Sequence, residues 1–210
     1  MKGDKADLRR EAGQRTRDGL LGAALELIAR RGQEGVTLRE ITESAGANVA
    51  AVSYHFGSLK TLCDTAIEHA LESYLDAQIR ALDELDPDST VEDVAAAFAR
   101  PMVHALAAGG HDLNVMRTVA RAGIDPPEGW DRLAGKFDQG RQLALRVLTA
   151  RLPGVDEQEL VFRTRAAAGL LNWLAVAPLG AELAAQPVER IERLLTPVLA
   201  GALRGHPTGL

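Results

Sequence analysis

Thr37-Leu38-Arg39-Glu40-Ile41-Thr42-Glu43-Ser44-Ala45-Gly46-Ala47-Asn48-Val49-Ala50-Ala51-Val52-Ser53-Tyr54-His55-Phe56-Gly57 holds two helix starts and two helix stops within 21 residues. Thr37 and Glu40 form a capping box, in which the threonine hydroxyl accepts the third backbone N–H and the glutamate reaches back to the first. Gly46 stops that helix after Ala45, where a left-handed residue is needed. Asn48 then caps a second helix, which Gly57 ends. Two short helices joined by a tight glycine-containing turn make the outline of a helix-turn-helix.

The flanks of this stretch continue in the same helical period. Upstream, Leu20, Leu21, Ala24, Leu27 and Ile28 recur at three- and four-residue spacing until Gly32. Downstream, a helix begins near Ser58 and runs to Leu85, with Leu62, Ala66, Ala70 and Leu82 on its apolar side, before Asp86-Pro87-Asp88 ends it. A second capping box, Thr90 to Asp93, opens a helix reaching about Ala108 with Pro101 inside it, where the Ala97 carbonyl loses its donor. Further helices are expected over 112–122, 130–152, 156–177 and 188–204. There is no sustained two-residue alternation and no Asn-Gly or Asp-Gly hairpin signal. The expectation is an all-α fold of about nine helices, a compact group before residue 60 and longer ones after it.

With 210 residues, 46% of them hydrophobic, the chain is long enough for a substantial core. Aromatics are 4%, so that core is built mainly from Leu, Ala, Val and Ile. The single cysteine, Cys63, forms no internal disulfide and no thiolate zinc cluster. No run of 18 apolar residues exists, and residues 1–17 lack the apolar stretch of a secretory signal, so a cytoplasmic protein with no membrane partner is expected. The net charge of −5 argues against nucleic acid as a partner, but its distribution argues for it. Residues 1–60 carry ten Lys/Arg against eight Asp/Glu, and the rest carries fourteen against twenty-one. A mildly basic head can contact phosphates beneath an acidic body, because salt screens charges beyond roughly 8 Å.

In the second short helix, Val52 and Phe56 are four apart and turn inward together. Asn48, Ala50, Ala51, Ser53, Tyr54 and His55 are left for the other faces. Small and polar groups suit a helix lying in the major groove, where alanine meets thymine methyls and asparagine or serine hydrogen-bonds a base edge or a phosphate. A helical hairpin with no DNA role has the same spacing.

Val36-Thr37, Ile41, Ala45-Gly46, Val52, Tyr54-His55-Phe56 and Leu62 resemble the N-terminal domain of TetR-family transcriptional regulators. The resemblance covers about residues 15–62, and the helices that follow match the family's regulatory half in number and order. It implies an all-α homodimer that binds a palindromic operator on double-stranded DNA and is released by a small ligand. It implies a three-helix DNA-binding domain over residues 1–57 and a ligand-binding and dimerisation domain over 58–210. Carried over by position, Thr37 holds a phosphate, and Asn48, Ala50, Ala51 and Ser53 face the groove. Tyr54 and His55 contact the backbone or flanking bases. Members often carry a lysine directly after the residue matching Ser58; here Leu59 stands there and Lys60 follows as the phosphate contact. A bulky aromatic commonly precedes the position of Tyr54, where this chain has Ser53.

Two features of the second half bear on partners. Residues 166–176 are apolar except for Gly169 and Asn172, and Val188, Ile191, Leu195, Val198 and Ala202 follow a 3-4-3-4 spacing. Such helices from two subunits would form a four-helix interface, or else fill an ordinary core. Most of the scarce large residues lie in the middle of the chain: Phe98, Met102, Met116, Trp130, Phe137, Phe162 and Trp173. With Tyr74, and with His104, Arg141, Arg165 and Asn172 as polar groups, they are candidates to enclose a largely apolar effector.

Enzymatic readings find little support. The histidines at 55, 69, 104, 111 and 206 form no metal-ligand pattern, and no glycine-rich phosphate loop or G-x-S-x-G is present. No catalytic residue, cofactor or metal is expected. The reading is a repressor of transcription; the alternative is a small-molecule-binding or interaction protein of the same fold that no longer reads DNA.

Overall fold

The computed structural model describes residues 2–126 and 130–205, with side chains placed for 7–126 and 132–205. The described residues are helical, with no strand. They form ten α-helices: α1 (Lys2–Arg31), α2 (Leu38–Ser44), α3 (Val49–Phe56), α4 (Leu59–Asp83), α5 (Val91–Ala108), α6 (Gly110–Ile124), α7 (Ala134–Arg151), α8 (Glu157–Val176), α9 (Pro178–Ala184) and α10 (Val188–Arg204). Short 3-10 turns cover Gln33–Gly35 and Trp130–Leu133.

Nine of these helices match the nine expected, and both capping boxes form. The tenth is α9. Pro178, read from sequence as the end of the preceding helix, is also the first residue of the next one. Its missing N–H costs nothing there, because the first N–H groups of a helix have no internal partner. The other difference is at the start of the chain: α1 extends about eighteen residues upstream of its first core residue, Leu20.

The chain divides into two compact units, residues 1–70 and 71–210, with the boundary inside α4. In the first, α1 packs on α2 and α3, and α2 packs on α3. Leu20, Ala24 and Ile28 from α1 meet Ile41, Val52 and Phe56, with Leu62 and Ala66 from α4 also buried. In the second unit α5 is the central helix, packed against α6, α7, α8, α9 and α10. Ten of its eighteen residues are buried, among them Val94, Ala95, Ala97 and Ala99. Small side chains let neighbouring helices approach closely, so a core with few aromatics can still be close-packed.

That closeness recurs elsewhere. A Cβ on Gly123 of α6 would collide with the Asn172 amide of α8, and one on Gly180 would strike the Leu174 carbonyl. Arg163, buried in α8, donates to the Leu203 carbonyl at 3.3 Å, to the Arg204 carbonyl and to the Glu159 carboxylate. It thereby satisfies the last carbonyls of α10, which have no donor within their own helix.

Among the described residues no single helix is long and apolar enough to cross a membrane.

Candidate functional site

The turn between α2 and α3 is set by Gly46, whose φ of +61° lies in the left-handed region that a side chain disfavours. It brings Asn48 round as the N-cap of α3, with its side-chain oxygen accepting the Ala51 N–H at 2.9 Å. Val52 and Phe56 anchor α3 to the core. Asn48, Ala50, Ser53 and Tyr54 are exposed on the outer side, and the Tyr54 ring is 84% accessible. Ala51 and His55 are half-buried at the flank toward α1. The His55 ring meets Tyr54 edge-on at 4.8 Å, and a Cβ on Gly13 of α1 would lie 3.9 Å from it. A shallow groove runs along this face, lined by Thr16, Ala47, Asn48, Ala50, Tyr54 and His55 among others.

The side chains of this face differ in how free they are. Asn48 commits its oxygen to the cap, so its amide N–H2 is what remains to donate. Thr37 donates its hydroxyl to Glu40 Oε2 at 2.7 Å, and its N–H reaches the same oxygen at 3.1 Å. Arg31 donates to the other carboxylate oxygen at 2.9 Å. These bonds, Arg31 first and then Thr37, hold the Glu40 pKa down at about 2. A phosphate at Thr37 therefore competes with a carboxylate already in place. Lys60 is exposed and pairs with Asp64 at 2.9 Å. Arg17 was not singled out by spacing; it lies over the Phe56 ring, 5.2 Å from its centroid. Its signal was a cation three residues before Leu20, legible only once α1 was known to continue upstream.

Cys63 is buried, and burial pushes its thiol up to about 11, which leaves it protonated and unreactive. Among the described residues no three His, Cys, Asp or Glu side chains gather as metal ligands.

In the second unit the residues expected around a ligand are dispersed. Phe98, Met102 and Met116 are fully packed in the core. Phe137 is half-buried, and Arg141 pairs with Asp138. Asn172 is half-buried against Gly123, and Arg165 is exposed. Phe162 is 70% and Trp173 54% accessible, so both face outward from α8 and enclose nothing within the subunit. The Trp130 side chain lies outside the described residues.

Tyr74 and His104 line a cleft of about 420 Å³ between α4, α5 and α6. Its apolar lining is Tyr74, Ala77, Ala81, Pro101, Ala105 and Val115. Arg80 also lines it, Arg100 pairs with Glu84 across it, and His104 Nε2 lies 3.4 Å from Asp112. The Tyr74 phenol is enclosed enough that burial pushes it up to about 12, so it stays a hydrogen-bond donor.

The seam read along α10 also divides. Ile191, Leu195 and Leu199 point into the subunit's own core, while Val188, Leu194 and Val198 are exposed. On α8, Phe162, Ala166, Gly169 and Trp173 are exposed at 4-3-4 spacing. α8 and α10 pack on each other, and each carries an apolar strip that no described residue covers.

Comparison with known proteins follows the two units. Residues 20–63 match the family described as bacterial regulatory proteins, tetR family. Residues 96–202, just over half the chain, match the tetracyclin repressor-like C-terminal domain. The HTH-type transcriptional repressor NicS of Pseudomonas putida is 30% identical over 97 residues, 46% of each protein. The chain thus spans about half the length of this relative. Among solved structures, the TetR family transcriptional regulator PfmR from Thermus thermophilus has a TM-score of 0.63 at 21% identity, covering 92% of this chain and 98% of that one. A TetR-like transcriptional regulator from a Rhodococcus species has a TM-score of 0.65 at 17% identity, covering 91% and 97%. These two share the fold. With a helix-turn-helix first unit and a helical second unit each matched by its own family profile, the chain belongs to the TetR family of bacterial regulatory proteins.

Proposed function

We propose that this chain is a sequence-specific DNA-binding regulator of transcription, acting as a repressor whose operator binding is modulated by a small ligand. The observation that carries the reading is the outer side of α3. A helix anchored by Val52 and Phe56 presents Asn48, Ala50, Ser53 and Tyr54 to solvent, the sizes and polarities a major groove admits. Residues 1–57 are the DNA-binding part in this reading, and 58–210 bind ligand and dimerise. Asn48, Ala50, Ala51 and Ser53 face bases, while Thr37, Tyr54, His55 and Lys60 face backbone.

The apolar strips on α8 and α10 support a homodimer, because two adjacent helices from each of two subunits can bury them in a four-helix contact. Two recognition helices related by a two-fold axis require a palindromic operator with half-sites a helical turn, or a multiple of one, apart. The cleft between α4, α5 and α6 is the ligand site of this reading, with an apolar body resting on Ala77, Ala81, Pro101 and Ala105. α4 lines the cleft at Tyr74 and also carries Leu62 and Ala66 in the first unit, so a ligand that favours one position of this helix biases DNA affinity.

Selection of a random duplex library with the full chain tests the proposal. A palindromic site should be enriched, and its affinity should fall roughly a thousandfold or more between about 50 and 200 mM salt, for about six to ten phosphate contacts. Asn48→Asp keeps the cap of α3 but replaces the free donor with a negative charge, so it should fold normally and lose the site. Enrichment of no sequence would favour the alternative, a binding protein of the same fold that does not read DNA.

A further inference from the structure

α1 carries its charges on two separate faces. At about 100° per residue, Arg9, Arg10 and Arg17 fall within roughly 60° of Gly13, while Asp7, Glu11 and Asp18 lie roughly 120–160° away. Arg15 is the exception; it lies on the acidic side, and its Nε donates to the Glu11 carbonyl at 3.4 Å. The contacts of Gly13 and Arg17 identify the basic side as the one facing α3. A Cβ on Gly13 would touch His55, and Arg17 stacks on Phe56.

Upstream of Gly13 the described side chains, residues 7–12, are all exposed. Arg9 and Arg10 are exposed and form no ion pair with any described residue. They stand about one helical turn, roughly 5–6 Å, upstream of the residue that lies against His55. We infer that the basic face of α1 upstream of Gly13 is a second nucleic-acid contact, in which Arg9 and Arg10 take backbone phosphates flanking the bases that α3 faces. The inference rests on α3 binding DNA. The guanidinium fork matches a phosphate in two parallel hydrogen bonds, and the acids that would oppose it are on the far side of the helix. The stretch is close to balanced in total charge, so it is the segregation that makes a phosphate site of it. A conformationally free segment of the same composition would offer none.

The test is the salt dependence of binding by the full chain, measured on the duplex it selects and on an unrelated duplex. Arg9→Gln/Arg10→Gln should weaken both by a similar factor. The slope of log affinity against log salt should become shallower by about 0.9 for each phosphate contact removed, up to about two contacts per protomer. Base preference and thermal unfolding should stay as they are, since both side chains are exposed. Arg15→Gln, on the acidic side, should leave the slope alone. An unchanged slope in the double variant, or an equal change from Arg15→Gln, overturns the inference. If no base sequence is preferred but the double variant still lowers the slope, base discrimination by α3 fails, while non-specific docking of α3 with the α1 phosphate contact stands. Absence of binding to any duplex overturns both.

Discussion

At the residue scale, the polar side chains at the start of α2 are bonded to one another. Glu40 accepts from Arg31, from the Thr37 hydroxyl and from the Thr37 N–H, and its carboxyl titrates near 2 in place of its ordinary 4.5. A depressed carboxylate contributes stability that is fully present above the unfolded value and is lost as pH falls through the folded one. The start of α2 should therefore loosen between about pH 4.5 and 2. Protection of the Thr37 and Glu40 amides against exchange should fall across that window, and Glu40→Gln should remove the step. A fall of equal size in the variant would mean that another group governs the acid response. Asp93 in the capping box of α5 is held low by the Thr90 N–H and hydroxyl, so it contributes in the same direction.

At the scale of elements, α8 and α10 are tied by one buried cation. Arg163 donates to the closing carbonyls of α10, and Gly205 beyond them has a φ of +63° with the guanidinium where a Cβ would sit. A larger residue at 205 would be strained twice, by its backbone and by Arg163. Arg163→Met keeps an apolar stem but leaves buried carbonyls without donors, which costs about 1–3 kcal/mol. The denaturant midpoint should fall accordingly with the slope unchanged. A midpoint equal to that of the unmodified protein would show that water or another donor replaces the guanidinium at no loss.

At the scale of the whole molecule, neighbouring residues of α10 have opposite roles. Leu195 is 4% accessible and belongs to the core, whereas Leu194 and Val198 are outside, Val198 at 55%. Leu195→Glu buries an unpaired carboxylate at several kcal/mol, a large part of the stability of any domain, so it should prevent folding. Leu194→Glu or Val198→Glu should leave the helical spectrum intact, because exposed positions tolerate charge. Either should convert dimer to monomer in sedimentation and abolish operator binding with the first unit untouched. A Leu194→Glu variant that folds and still sediments as a dimer would move the interface off this face.

Local chemistry was legible from the sequence wherever a helix end is fixed by a side chain close to it in the chain. Thr37 with Glu40, Thr90 with Asp93, Asn48 with Ala51 and Asp156 with Glu159 are all bonds across three residues, so spacing alone determined both helices of the helix-turn-helix and the starts of α5 and α8. Val52 and Phe56 were legible as the anchors of α3 for the same reason, since a period of 3.6 turns them to one side. Three things were decided only by tertiary structure. The 3-4 pattern of α10 states that two faces are apolar but not which one meets α5, and packing gave Leu195 to the core and Leu194 to the surface. Large side chains looked like a pocket because most of the few in this chain lie on its middle helices, yet Phe98 and Met102 fill the interior while Phe162 and Trp173 turn outward on another helix. The side of α1 that meets α3 was set by Gly13 and Arg17 touching His55 and Phe56, some forty residues later in the chain. A periodicity determines that a helix has faces; which partner each face meets depends on contacts between residues far apart in sequence, and those exist only once the chain has folded.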